Sequence, residues 1–95
     1  MPKIAAIFKQ IKDAESFRSQ LLCSPWSSKV SVTDIGGSDI FNIVNKSSSS
    51  IKLSSREDVV IEMRISQSDL EELRILINDS HGQYVPQDEF IKWGI

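Results

Sequence analysis

The clearest pattern in the chain is the alternation in "VVIEMRI". Val59, Ile61, Met63 and Ile65 fall on one face, and Val60, Glu62 and Arg64 on the other. A period of two sustained over this stretch predicts a half-buried strand. The period then changes. In "SQSDLEELRILINDSHG" Leu70, Leu73, Leu76 and Ile77 recur at helical spacing, which predicts a helix with one apolar stripe. Ser68 and Glu71 have the spacing of a capping box, Asp69, Glu71 and Glu72 suit the positive end of the helix dipole, and Gly82 suits its termination.

The N-terminal pattern is less decisive. Ile4, Ile7, Phe8, Ile11, Ala14, Phe17 and Leu21 advance in steps of three and four, which predicts a helix over residues 3–22. Pro2 suits its first position, and Pro25 ends the segment by biasing Ser24 away from helix. The alternative is a strand over Ile4–Phe8 with a shorter helix from Asp13; the lack of strict alternation in "KIAAIF" counts against it. Further on, Val30 and Val32 alternate with Ser31 and Thr33, Gly36-Gly37 signals a turn, and "DIFNIVNK" reads as a second strand, so the two form a hairpin. The serine arm "KSSSSIKLSS" reads as a surface loop between sheet strands, because serine hydroxyls compete for backbone hydrogen bonds and favour turns. "IKLS" can pair as a short strand. After Pro86 the tail has room for one helical turn that docks Phe90, Ile91 and Trp93. These elements predict an α+β fold: a small antiparallel sheet of three to four strands with N-terminal and C-terminal helices packed on one face.

Length makes residues 1–95 a single domain. Splitting the chain at the serine arm would leave two pieces under fifty residues each, a size that needs disulfides or a metal. One cysteine, Cys23, excludes a disulfide within the chain, and one histidine, His81, leaves too few ligands for a zinc site. No apolar run reaches the roughly 18 residues that span a membrane, and Lys9 and Lys12 interrupt the N-terminal apolar stretch where a secretory segment would be continuous. The expectation is a cytoplasmic protein with a reduced thiol.

Charge is unevenly spread. Lys3, Lys9, Lys12 and Arg18 outnumber Asp13 and Glu15 in residues 1–28. Asp69, Glu71, Glu72, Asp79, Asp88 and Glu89 outnumber Arg74 and Lys92 in residues 66–95, within a net charge of −2. The acidic final third disfavours nucleic acid there and favours a basic partner.

Candidate chemistry is sparse. His81 adjoins Asp79 and Ser80, but a catalytic triad needs groups that converge in space, which three consecutive residues do not supply. Cys23 follows a predicted helix C-terminus, where the dipole opposes a thiolate, so it reads as a buried small hydrophobe. The pairs Glu57/Asp58, Glu71/Glu72 and Asp88/Glu89 are adjacent in sequence and point apart on helix or strand. The lone Gly-Gly lacks the spacing of a phosphate-binding loop. The sequence therefore calls for no catalytic residues, no metal and no cofactor. The expected function is non-enzymatic protein binding, as an inhibitor or an immunity- or antitoxin-like protein. It would block a basic partner, such as a nuclease, through Glu71, Glu72, Asp79, Asp88 and Glu89, with Trp93 as an anchor. The alternatives are a nucleic-acid binder using Lys29, Lys46, Lys52, Arg56 and Arg64 around the sheet, which lacks net positive charge and interleaved aromatics, and a small structural subunit of an assembly.

Overall fold

The strand predicted over residues 59–65 is the second of four in one antiparallel sheet. The structure, a computed structural model, describes residues 1–23, 25–35 and 37–95. In chain order the elements are β1 (Lys3–Phe8), α1 (Ile11–Leu22), a 3-10 turn (Trp26–Ser28), β2 (Val30–Ile35), α2 (Gly37–Lys46), β3 (Val59–Ile65), a 3-10 turn (Gln67–Asp69) that runs into α3 (Leu70–Asp79), β4 (Gln83–Val85) and α4 (Gln87–Ile91). The sheet order is β2-β3-β1-β4. β1 pairs antiparallel with β3 (Ala6 opposite Ile61) and with β4 (Ala6 opposite Tyr84), and β3 pairs antiparallel with β2 (Met63 opposite Val32). This is the connectivity of the split βαβ, or ferredoxin-like, sandwich with α2 added between its second and third strands. The predicted class, α+β with an antiparallel sheet, is the one observed.

Both crossover units, β1-α1-β2 and β3-α3-β4, skip one strand. The near-universal right-handedness of such crossovers sends their helices to the same face. There Ala14, Phe17 and Leu21 of α1 and Leu73 and Ile77 of α3 pack on Ile4, Ala6 and Phe8 of β1 and on Ile61, Met63 and Ile65 of β3. The opposite face is covered as well. Ala5 and Ile7 of β1, Val60 of β3 and Val85 of β4 lie under Ile40 and Val44 of α2, Leu53 of the serine arm, and Phe90 and Trp93 of the C-terminal segment.

That second core explains where the sequence reading needs correction. Residues 3–8 form a strand and the helix starts at Ile11, because β1 is central and buried from Ile4 to Phe8. A strand buried on both faces has no polar side to alternate with. "DIFNIVNK" belongs to α2 and not to a hairpin strand: Ile40 and Val44, one helical turn apart, are its buried residues. Of the predicted turn, Gly36 lies outside the described residues, as does Ser24. The helical run before α3 starts after Ser66, two residues earlier than the predicted cap. The Ser66 hydroxyl donates to Asp69 Oδ2 at 2.8 Å, and Glu71 pairs with Arg74 instead of reaching back to Ser68. Cys23 is exposed, not buried.

The end of α3 also differs in its details. The Gly82 N–H donates to the Ile77 carbonyl at 2.9 Å and the His81 N–H to the Asn78 carbonyl at 3.2 Å, the two bonds of a Schellman motif. The left-handed residue of that motif is His81, at φ 65°, not Gly82. Gly82 is needed for a different reason: a Cβ there would come within 2.6 and 2.8 Å of two ring carbons of the fully buried Phe8. Gly82→Ala is therefore expected to cost about 1–3 kcal/mol by overpacking. His81→Gly should raise stability by up to about 1 kcal/mol, the left-handed penalty less the chain entropy that glycine adds. Urea unfolding of both variants checks this pair of opposite signs.

Candidate protein-binding site

The acidic residues singled out in the sequence separate into three places. Glu72, Ile75 and Asp79 are exposed on one side of α3, with Leu76, half-buried against the first core, beside them, at helical offsets of 0, 3, 7 and 4. Trp26, on the 3-10 turn that follows α1, closes this face into an open groove of about 270 Å³ lined by Trp26, Glu72, Ile75, Leu76 and Asp79. Trp26 is only partly buried; its inner edge packs on the first core. The Lys29 ammonium lies 6.0 Å from the centre of its ring and 3.6 Å from Asp69 Oδ1. The fold thus already holds one cation between an aromatic face and a carboxylate beside the groove.

Glu71 and Asp88 lie elsewhere, around Arg74 and Tyr84. The Glu71 carboxylate accepts from Arg74 Nε at 3.0 Å, and this bond holds its pKa below the usual carboxylate value. Burial raises the pKa of the Tyr84 phenol, which also lies within the fields of Arg74, Asp88 and Glu71.

Glu89 and Trp93 occupy a third place, and neither is offered to a partner. Trp93 is 2% exposed, its ring tilted at 33° against Phe90 with centres 5.3 Å apart in the second core, and its indole N–H is buried without an acceptor among the described residues. The anchor expected at Trp93 is thus a core residue, and Trp26 is the tryptophan at the surface. Glu89, its side chain 16% exposed, holds the serine arm. Its Oε2 accepts from the Ser49 hydroxyl at 2.6 Å and from the Ser50 N–H at 2.9 Å. The arm is consequently no free surface loop: Ser49 is buried, and the Asn45 side chain bonds both the N–H and the carbonyl of Leu53, at 2.9 and 3.2 Å.

The basic residues considered for nucleic acid are likewise dispersed, and three of the five are engaged within the fold. Lys52 donates to the Ser47 carbonyl at 2.6 Å. Arg56 donates to Asn42 Oδ1 at 3.1 Å and lies over Phe41, while Lys29 is held at Asp69. Arg64 is exposed on β3 and Lys46 at the end of α2. His81 lines a polar depression with Lys9, Gln10, Lys12 and Asp13, and the hydroxyl of the adjacent Ser80 accepts from Gln20 at 3.4 Å. Among the described residues no cluster of three or more His, Cys, Asp or Glu is placed to hold a metal, and no helix is long and apolar enough to cross a membrane.

Sequence reasoning passed over Ile75, read Leu76 only as part of the helix's apolar stripe, and took Trp93 rather than Trp26 as the anchor. The spacing of Glu72, Ile75, Leu76 and Asp79 was readable; the approach of Trp26 was not, since it depends on how α1 and α3 dock. Neither family models, curated proteins nor solved structures match this chain. The ferredoxin-like connectivity hosts many unrelated activities and selects none of them.

The hydrogen bonds from Ser49 and Ser50 hold the Glu89 pKa below the usual carboxylate value of 4.5. A carboxylate depressed in the folded state stabilises the fold above its unfolded pKa, and that contribution is lost as pH falls through the folded value. Wild-type stability should therefore drop below about pH 4.5, and Glu89→Gln should drop less over the same window while being less stable than wild type at pH 7. Denaturant melts at pH 7 and pH 3 test this. The two tryptophans are expected to differ in solvent access. In single-tryptophan variants, acrylamide should quench Trp26 in a Trp93→Phe background and leave Trp93 nearly unquenched in a Trp26→Phe background.

Proposed function

We propose that this chain is a non-enzymatic protein-binding module that captures a basic partner in the groove between the Trp26 turn and α3. It would act by occupying the partner's surface, as inhibitor, immunity and antitoxin-like proteins do. The observation that carries this reading is the grouping of Trp26, Ile75 and Leu76 with Glu72 and Asp79. An aromatic anchor with apolar neighbours and an acidic rim is the composition expected of an interface hot spot. The position of Lys29, over Trp26 and beside Asp69, is an intramolecular example of the same recognition. A lysine or arginine of the partner would find an aromatic face with carboxylates at either end of the groove, while its apolar stem would cover Ile75. The rim carboxylates steer encounter, and the aromatic anchor sets the lifetime of the complex.

The test is capture of the partner from the native host, followed by binding kinetics on variants. The partner should be basic. Glu72→Lys and Asp79→Lys should slow association and flatten its salt dependence. Trp26→Ala should speed dissociation by roughly thirtyfold, equivalent to about 2 kcal/mol. Asp88→Lys, the same charge change outside the groove, should leave dissociation unchanged. An acidic partner, or binding indifferent to Glu72, Asp79 and Trp26, would show that the groove is not the binding surface.

A further inference from the structure

β2 is an outer strand, paired on one side only, with β3. Its other edge presents alternate N–H and C=O groups with no strand against them among the described residues. Natural edges are usually blunted by proline, lysine, a bulge or a covering segment. β2 itself has none of the first three: "VSVTDI" contains no proline or lysine, Lys29 just before it is drawn onto Trp26 and Asp69, and the register with β3 is unbroken from Val30 to Ile35. Beside the edge, on the α1 face, lies a groove of about 290 Å³ lined by Arg18, Leu21, Leu22, Ser27, Val30 and Val32. Leu22 is 79% exposed and Val32 37%. This surface is distinct from the Trp26 groove and does not depend on it.

We infer that β2 is a self-association edge: two copies of this chain pair their β2 strands antiparallel about a two-fold axis at Ser31, joining the two sheets into one. Three features select a second copy as the occupant. The first is register. An axis at Ser31 sets Val30 of each copy against Val32 of the other, which gathers four valines on the α1 face. Moving the axis to Val32 would set Val30 against Asp34 instead. The second is position. The apolar groove is built on Val30 and Val32, the residues that flank this axis, so the two grooves meet there and each exposed Leu22 gains apolar cover. The third is charge. A two-fold interface presents the same patch on both sides, so any net charge would meet its own sign. At this edge the charges are already neutralised in pairs, Arg18 with Asp34 at 2.8 Å and Lys29 with Asp69 at 3.6 Å. A charged foreign strand would find no uncompensated opposite charge in those pairs, whereas a second copy needs none.

Sedimentation of the full chain up to about 1 mM should show twice the monomer mass. Leu22→Glu and Val32→Lys should each restore the monomer with unchanged circular dichroism; Leu22, being exposed, is the variant that leaves the fold untouched. In a Cys23→Ser background, Ser31→Cys should cross-link rapidly under mild oxidation, because directly opposed residues lie within disulfide reach. Thr33→Cys, displaced from the axis, should not. A wild-type chain that stays monomeric, variants that still dimerise, or equal cross-linking at positions 31 and 33 would overturn the proposal.

Discussion

The pairing of β1 with β3 is the constraint on which the rest of the molecule depends. β1 is apolar on both faces, and β3 adds Ile61, Met63 and Ile65 to one face and Val60 to the other, so neither face of the sheet can be left to water. On one side, Ile4, Ala6, Phe8, Ile61, Met63 and Ile65 require the amphipathic helices α1 and α3. On the other, Ala5, Ile7 and Val60 require a second cover. A chain of this length has no third helix pair to spend, and that cover is assembled from α2, the serine arm and the C-terminal segment.

The improvised second layer accounts for the chemistry of the serine arm. Between α2 and β3 the backbone makes no strand or helix, so side chains satisfy it. Asn45 bonds both polar groups of Leu53, Asp58 Oδ2 accepts from the Ser54 and Ser55 N–H groups, and Glu89 reaches from α4 to Ser49 and Ser50. Short hydroxylated residues suit this task because their side chains bond backbone within two or three positions. The composition that resembles a linker is here that of a strap, pinned over Val60 and Val85 by the buried Leu53.

The same packing sorts the acidic residues of the last third. α3 turns Leu73 and Ile77 inward, so Glu72 and Asp79 emerge on the flank that meets Trp26, and Glu71 emerges beside Arg74. α4 turns Phe90 inward, with Trp93 one turn behind it, which brings Glu89 over the arm and leaves Asp88 outside. Residues adjacent in sequence, Glu71 with Glu72 and Asp88 with Glu89, therefore do unrelated work. A single acidic face read from composition becomes one groove, one ion-paired edge and one internal clamp.

The sequence by itself determined the elements whose two faces differ. β3 lies where its alternation put it, α3 buries the leucine and isoleucine stripe that its spacing predicted, and the turn after Pro86 docks Phe90 and Trp93, though not Ile91, which is exposed. In each case burial on one side and water on the other writes a period into the chain. Tertiary structure alone decided the rest. β1 carries no period because it is buried on both faces. α2 was disguised by β-branched residues that also suit strands and was settled by the need to cover the second face. β4 is three residues long and forms only against β1. The exchange of roles between the two tryptophans has the same origin. Nothing local distinguishes Trp26 from Trp93; one faces the flank of α3 and the other the underside of the sheet, and only the docking of whole elements assigns them.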